Sequence, residues 1–255
     1  MNILGLMSGN SCDGLDCCDV DINIDHNYQL KYKINKFSTE PYTSSEKSFL
    51  LSLRENEQYK IKKNKTILTE IYLNKINQFT KCEKFQYIAC HGQTVHHIDK
   101  VISVQLLDYK LLFNTYNKPI IHNFRENDIK NGGNGAPLMP FLDWLLFLDT
   151  NENIVTLNIG GISNVTYLPK DRNRDKILGF DVGPGMNLVD RASKIFFNEK
   201  CDMDGILSRN GKVSNKILDQ LLENPYLRIH PPKSADIEDF GTNLLKRTIS
   251  ENPDV

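Results

Sequence analysis

Between Gly5 and Gly14 the chain reads GLMSGNSCDG. Ser8, Gly9, Asn10 and Ser11 form a turn of small residues between apolar Ile3–Met7 and Leu15–Ile24, with Asp13 and Asp16 at the start of the outgoing run. A strand, a tight turn and a second strand bring several backbone N–H groups and hydroxyls to one point, which suits phosphate oxygens. The neighbouring carboxylates are hard oxygen donors of the kind Mg²⁺ prefers. The plainer reading is an ordinary hairpin turn, because glycine- and serine-rich turns taken alone are more often structural.

Other segments carry similar weight. Ile159–Ser163 (IGGIS) repeats the strand–glycine turn–strand design, and NGGNGAP at Asn131–Pro137 leads into the apolar run Leu138–Leu148. A glycine loop feeding a helix is a ready anion site or simply a flexible joint, and Pro137 fits the helix's first turn. Asp181 stands at the end of the strand Lys176–Phe180, beside a glycine loop, where a carboxylate can reach a reacting water. On residues alone the turn-forming or helix-capping reading of Asp181 is preferred. Gly183 and Gly185 allow the backbone to approach a ligand closely. His91, Gly92, Gln93 and Thr94 follow the short strand Phe85–Cys90, at a strand end where ligands bind in α/β folds. His91, His96 and His97 lack a partner spacing that would make them metal ligands, so each reads as a structural histidine and no metal site is expected.

The elements that position these residues follow from periodicity. Lys31–Phe37 is a third strand, giving an antiparallel meander at the start. Asn64–Thr80 carries Ile67, Leu68, Ile71, Tyr72, Ile76 and Phe79 at helical spacing, with Asn64 as N-cap. Val101–Leu106 and Pro119–His122 are further strands. A second series runs Asn153–Asn158, Asn164–Leu168, Lys176–Phe180, then helices Met186–Phe197, Ser214–Leu222 and Asp236–Ser250, with Pro231–Pro232 breaking the chain between the last two. The repetition predicts a duplicated α/β architecture whose halves face each other across a cleft, with a boundary near Phe147–Glu152, giving domains 1–148 and 149–255.

Composition excludes several classes. The 255 residues suffice for one large domain or two small ones. A net charge of −1 argues against nucleic acid as a partner. No apolar run is long enough to span a bilayer, and MNILGLMSG lacks a basic n-region and cleavage site, so it reads as a first strand rather than a signal peptide. Cys12, Cys17, Cys18, Cys82, Cys90 and Cys201 form no C-x-x-C pair, so they are neither a zinc nor a disulfide framework, and the expected setting is a reducing cytoplasm. Cys12 lies in the first turn, where a small residue fits.

Five segments in order resemble the anhydro-N-acetylmuramic acid kinases across essentially the whole chain: MSGNSCDGLD (Met7–Asp16), HGQTVHH (His91–His97), FRENDIKNGGNGAPLMP (Phe124–Pro140), NIGGISN (Asn158–Asn164) and GFDVGPGMNLVD (Gly179–Asp190). Any one is weakly specific; five in order are highly specific. The resemblance implies the duplicated actin-like, ribonuclease H-like domains of sugar kinases, actin and heat-shock chaperones. It implies ATP-dependent opening of 1,6-anhydro-N-acetylmuramic acid and phosphorylation at O6, giving N-acetylmuramate 6-phosphate in peptidoglycan turnover, with ATP and Mg²⁺ as cofactors. By the same resemblance Gly9, Asn10, Ser11, Cys12, Asp13, Gly14, Leu15 and Asp16, together with Gly160 and Gly161, take the ATP phosphates, and Asp181 becomes the general base. His91, Gln93, Arg125 and Asp128 fall on the substrate side, where a guanidinium suits the lactyl carboxylate.

The chain also departs from the family pattern. Asn10 replaces the usual Thr and loses a hydroxyl, and Asn123 stands where Asp is common. Pro231–Ser234 matches the start of PPKSTGRE, but Ala235, Asp236 and Ile237 break it. No GGGxxN adenosine loop occurs before Val255. The expectation is therefore a C-terminally truncated kinase whose second domain is incomplete and exposes an apolar face. It would act as a homodimer or together with a missing C-terminal fragment. The alternative is a non-catalytic remnant, or one half of a split kinase, that keeps only sugar or phosphate binding. An actin-like filament protein would have no use for His91–Thr94 and Phe124–Pro137.

Overall fold

The computed structural model describes residues 1–81, 84–147, 151–235 and 239–252. Cys82, the expected boundary at 148/149, and Asp236 and Ile237 lie outside the described residues. The chain divides into two units, Met1–Gly135 and Ala136–Val255.

In the first unit, strand β1 (Asn2–Ser8) alternates strictly, sending Leu4, Leu6 and Ser8 inward. It pairs antiparallel with β2 (Gly14–Ile24), which pairs antiparallel with β3 (Leu30–Pro41). On its other side β1 pairs parallel with β4 (Tyr87–Ile98), which also holds β5 (Ile102–Leu106) and the short β6 (Ile120–Ile121). The sheet order is β3-β2-β1-β4-β5, with β6 on β4. The meander expected at the N-terminus is present, and β3 runs to Pro41, beyond the expected Phe37. Likewise β4 does not stop at Cys90 but continues through the HGQTVHH segment.

Among the described residues this unit also carries the α-helices α1 (Ser44–Ser52), α2 (Lys62–Phe79), α3 (Tyr109–Tyr116) and α4 (Glu126–Lys130). Helix α2 forms as its apolar spacing predicts. Leu68, Ile71, Tyr72, Ile76 and Phe79 are buried against Leu4, Leu6, Leu15, Cys17, Ile88 and Cys90 of the sheet, each large apolar side chain contributing about 1.5–3 kcal/mol. Its start differs from expectation: Ile61 is the N-cap, and Asn64 lies inside the first turn, donating its amide to Gln58 O at 2.9 Å. Helix α1 opens on a capping box in which Thr43 accepts from Glu46 N and the Glu46 carboxylate accepts from Thr43 N.

The second unit opens on helix α5 (Met139–Leu146) and the antiparallel sheet β7 (Ile154–Ile159), β8 (Ile162–Leu168) and β9 (Leu178–Pro184), in that order. The fold is thus α/β, with a strand–glycine turn–strand meander in each sheet. Helix α5 packs on β8 and β9, so closely that a side chain on Gly179 would overlap Pro140. Trp144 Nε1 donates to Arg172 O at 3.1 Å, and Thr156 Oγ1 donates to Asp143 Oδ2 at 2.7 Å. This packing explains why the division between units precedes α5. Pro140, not Pro137, occupies the helix's first turn. Helices α6 (Met186–Phe197), α7 (Asn215–Leu222) and α8 (Thr242–Ser250) follow. Val155, Leu157 and Ile159 of β7 remain exposed, and among the described residues only β8 pairs with β7. No helix among the described residues is long and apolar enough to cross a membrane.

Candidate functional site

Residues 9–13 link β1 to β2 and form the first turn. Gly9 O accepts from Cys12 N and from Gln93 Nε2, both at 3.2 Å. Asn10 does not project idly: its Oδ1 and its carbonyl accept from Arg54 Nη2 at 2.8 and 3.3 Å. Asp13 forms an exposed ion pair with Lys47 of α1. Two cations therefore stand beside the turn. Cys12 adopts φ 51 and is fully buried, and burial pushes its thiol pKa up, so it is a packed thiol rather than a reactive thiolate. Leu15 is core. Asp16 accepts from Thr39 Oγ1. Gly14 is required by packing, since a Cβ there would lie 2.6 Å from Thr39 Cγ2 and 2.8 Å from Glu40 O.

Strand β4 runs beside this turn, with Ser8 in register with Gln93. Gln93 is wholly buried, and its Oε1 accepts from Ser8 Oγ at 2.6 Å. Ser8 Oγ in turn accepts from Tyr42 OH at 3.1 Å. His91 is buried, with Nδ1 2.9 Å from Gly92 O and Nε2 accepting from Arg125 Nε at 3.1 Å. Burial, and then the Arg125 charge, hold its pKa down to about 4, so the ring is neutral at ordinary pH. Its plane stacks on Phe124.

Arg125 and Asp128 clamp one residue of the glycine loop, Gly135, through the peptides on either side of it. Arg125 Nη1 donates to Gly135 O at 3.1 Å, and Asp128 Oδ2 accepts from Gly135 N at 2.7 Å. Gly133 lies so close to the Asp128 carboxylate that a Cβ would overlap it, and Gly135 takes φ 77. Asn134, which the sequence reading did not single out, is buried beside this clamp, and its Nδ2 meets no acceptor among the described residues. Of the sequence-derived residues, His91 and Gln93 thus lie on β4, and Arg125 and Asp128 lie at the cap and within helix α4.

In the second unit the turn is the pair Gly160–Gly161. Its carbonyls accept the amides that open α6: Met186 N to Gly160 O at 2.8 Å, and Gly185 N and Asn187 N to Gly161 O at 3.0 and 3.3 Å. Asp181 is not in a loop, as the glycines and proline around it suggest, but inside β9, in register with Asn164 of β8. It is buried. Its Oδ2 accepts from Ala235 N at 2.9 Å, its N donates to Lys233 O at 3.0 Å, and its O accepts from Tyr226 OH at 2.9 Å. The segment around Lys233 therefore holds the carboxylate even though its sequence departs from pattern after Ser234. Lys233 is itself buried, donating to Tyr226 O at 2.8 Å over the Tyr226 ring, and burial lowers its pKa.

Among the described residues no three His, Cys, Asp or Glu side chains converge as a metal cage. Asp13 and Asp16 are each already engaged.

A family model for anhydro-N-acetylmuramic acid kinase matches residues 1–255. The chain is 34% identical over 264 residues to the anhydro-N-acetylmuramic acid kinase of Francisella tularensis subsp. novicida, covering 97% of this chain and 68% of that protein. It is 32% identical over 265 residues to the enzymes of that name from Bacillus thuringiensis subsp. konkukian and Bacillus cereus strain AH820, covering 97% of this chain and 69% of each. The chain therefore belongs to the anhydro-N-acetylmuramic acid kinase family, a family of phosphotransferases.

Proposed function

We propose that the chain acts as a kinase on 1,6-anhydro-N-acetylmuramic acid, taking the terminal phosphoryl group of ATP. The observation that carries this reading is the first turn: small residues whose backbone is pinned at Gly9, flanked by the cations of Arg54 and Lys47. Backbone amides in a turn with adjacent cations are suited to phosphate oxygens. Gly160 and Gly161 are assigned to the phosphates as well, and Arg125 to the substrate carboxylate. Mg²⁺ supplies charge neutralisation to the phosphates when it is bound with ATP.

Asp181 is assigned as general base. Its Oδ2 accepts from Ala235 N, which restrains the carboxylate. In the proposed reaction it takes a proton from water as the water oxygen bonds to the anomeric carbon. The bond from that carbon to O6 breaks, O6 bonds to the γ-phosphorus, and ADP leaves. The product is N-acetylmuramate 6-phosphate, which places the enzyme in cytoplasmic cell-wall recycling.

The test is incubation with ATP, Mg²⁺ and the anhydro-sugar, with the 6-phosphate read by mass spectrometry. Asp181→Asn should lower turnover by at least about 100-fold while leaving ATP-analogue affinity within about twofold; normal turnover in that variant would remove Asp181 from the role. A second reading, one half of a split kinase or a binding protein, is favoured by the uncovered Val155, Leu157 and Ile159 on β7. It predicts ligand binding without product.

A further inference from the structure

We propose that His91 and Gln93, two positions apart on β4, are positioning residues rather than sugar ligands: Gln93 fixes the first turn, and His91 fixes the guanidinium of Arg125. The proposal rests on the functional reading above, in which the turn serves ATP and Arg125 serves the sugar.

The hydrogen-bond inventory supports it atom by atom. Gln93 is 0% exposed, so no ligand reaches it without opening the sheet. Ser8 has one hydroxyl proton. It accepts from Tyr42 OH and gives that proton to Gln93 Oε1, which leaves Gln93 Nε2 to donate to Gly9 O. The relay runs in one direction, and a flipped amide would set Oε1 against the Gly9 carbonyl. With Cys12 N as its second donor, Gly9 O has both lone pairs committed. The first peptide of the turn is thereby fixed, and with it the aim of the amides that follow.

His91 is committed in the same way. The contact between Nδ1 and Gly92 O leaves Nε2 as the acceptor for Arg125 Nε, so both ring nitrogens are used. Arg125 is then held at two nitrogens, Nε by His91 and Nη1 by Gly135 O, which sets the plane of the guanidinium. The depressed basicity of the buried ring keeps its lone pair available. One strand thus sets the geometry of two different ligand groups, through side chains that touch neither ligand.

The test is a double dissociation in calorimetry on the full chain, with Mg²⁺ and adenylyl-imidodiphosphate in one titration and the anhydro-sugar in the other. Gln93→Met, which keeps the volume and loses the amide, should weaken the nucleotide analogue about tenfold and leave the sugar within about twofold. His91→Phe keeps the stack on Phe124 and loses the acceptor; it should do the reverse. His91→Gln restores an acceptor oxygen and should recover sugar affinity to within about threefold of wild type. Tyr42→Phe leaves both Gln93 bonds in place and should weaken the analogue less than Gln93→Met, a readout that survives if the latter folds poorly. Equal loss of both ligands in Gln93→Met, or no recovery in His91→Gln, overturns the proposal. If wild type binds neither ligand, the functional reading fails. The positioning claim is then read from the Arg125 Nε–H resonance, which should move in His91→Phe and return in His91→Gln; an unmoved resonance overturns it.

Discussion

Each sheet carries a strand, a turn of small residues and an antiparallel strand, yet the two turns are held by opposite means. Residues 9–13 are braced by side chains from elsewhere in the chain: Gln93 on Gly9, Arg54 on Asn10, Lys47 on Asp13. The pair Gly160–Gly161 is braced, among the described residues, through its backbone, its carbonyls receiving the amides of Gly185, Met186 and Asn187. The strands behind them differ too. β1 is flanked by β2 and β4, whereas among the described residues β7 is flanked only by β8. A turn beside a filled strand position can recruit side chains from its neighbour. A turn without one depends on what glycine permits.

The largest effect should come from breaking the backbone device. A Cβ on Gly185 would overlap the Gly160 carbonyl oxygen, and both groups are backbone, so neither can swing away. Gly185→Ala should cost about 3 kcal/mol or more. Gly160→Ala should cost less than about 1 kcal/mol, because its Cβ would meet nothing nearer than 3.6 Å. Urea unfolding followed by fluorescence of Trp144, the sole tryptophan and a residue of the second unit, reads both. Equal losses would mean that the turn, and not its contact with α6, sets the stability.

The side-chain device should show itself in pH dependence. His91 has a pKa of about 4 when folded against an ordinary value of 6.5. The unfolded chain therefore takes up the proton first as pH falls. Stability from this group is complete above about 6.5 and is lost progressively down to about 4, by up to about 3 kcal/mol. Among the described residues no histidine bonds to the second turn. Denaturation of wild type and His91→Gln between pH 4 and 7 should give curves that converge toward the acid end; parallel curves would mean that His91 is not held neutral.

The sequence made the two devices unequally legible. Periodicity located α2 and its buried stripe, and glycines located both turns, because these signals are local. Asp181 was legible as a carboxylate of interest but not as a strand residue. The glycines and proline of GFDVGPG signal a loop, while pairing with β8 through Pro184 overrides that preference. Helices α3 and α4 are short and gave no stripe to read, although Thr43 and Glu46 carried a capping signal for α1. The braces of the first turn were the least visible. Tyr42 and Arg54 lie 34 and 44 residues from their partners Ser8 and Asn10, and no spacing rule links a tyrosine or an arginine to a turn so far away. Gln93 was legible as a polar residue at a site, but its complete burial and its bonds to Ser8 and Gly9 are properties of the sheet.

Arg54 gives the smallest and most local test of the comparison. It donates to Asn10 Oδ1 and to the Asn10 carbonyl, which ties that side-chain amide down. Its guanidinium is also one of the two cations beside the turn. Arg54→Ala removes both contributions, while Arg54→Gln keeps a donor for Asn10 Oδ1 and removes only the charge. If ordering of Asn10 is what matters, Arg54→Gln should retain nucleotide-analogue affinity and Arg54→Ala should lose about three- to tenfold. If charge is what matters, both should lose it, and the loss should shrink as salt rises. Neither substitution should alter the Trp144 unfolding transition, since the bonds described at the second turn are backbone ones. A shift there would mean that the two turns are energetically coupled and that their different bracing does not make them independent.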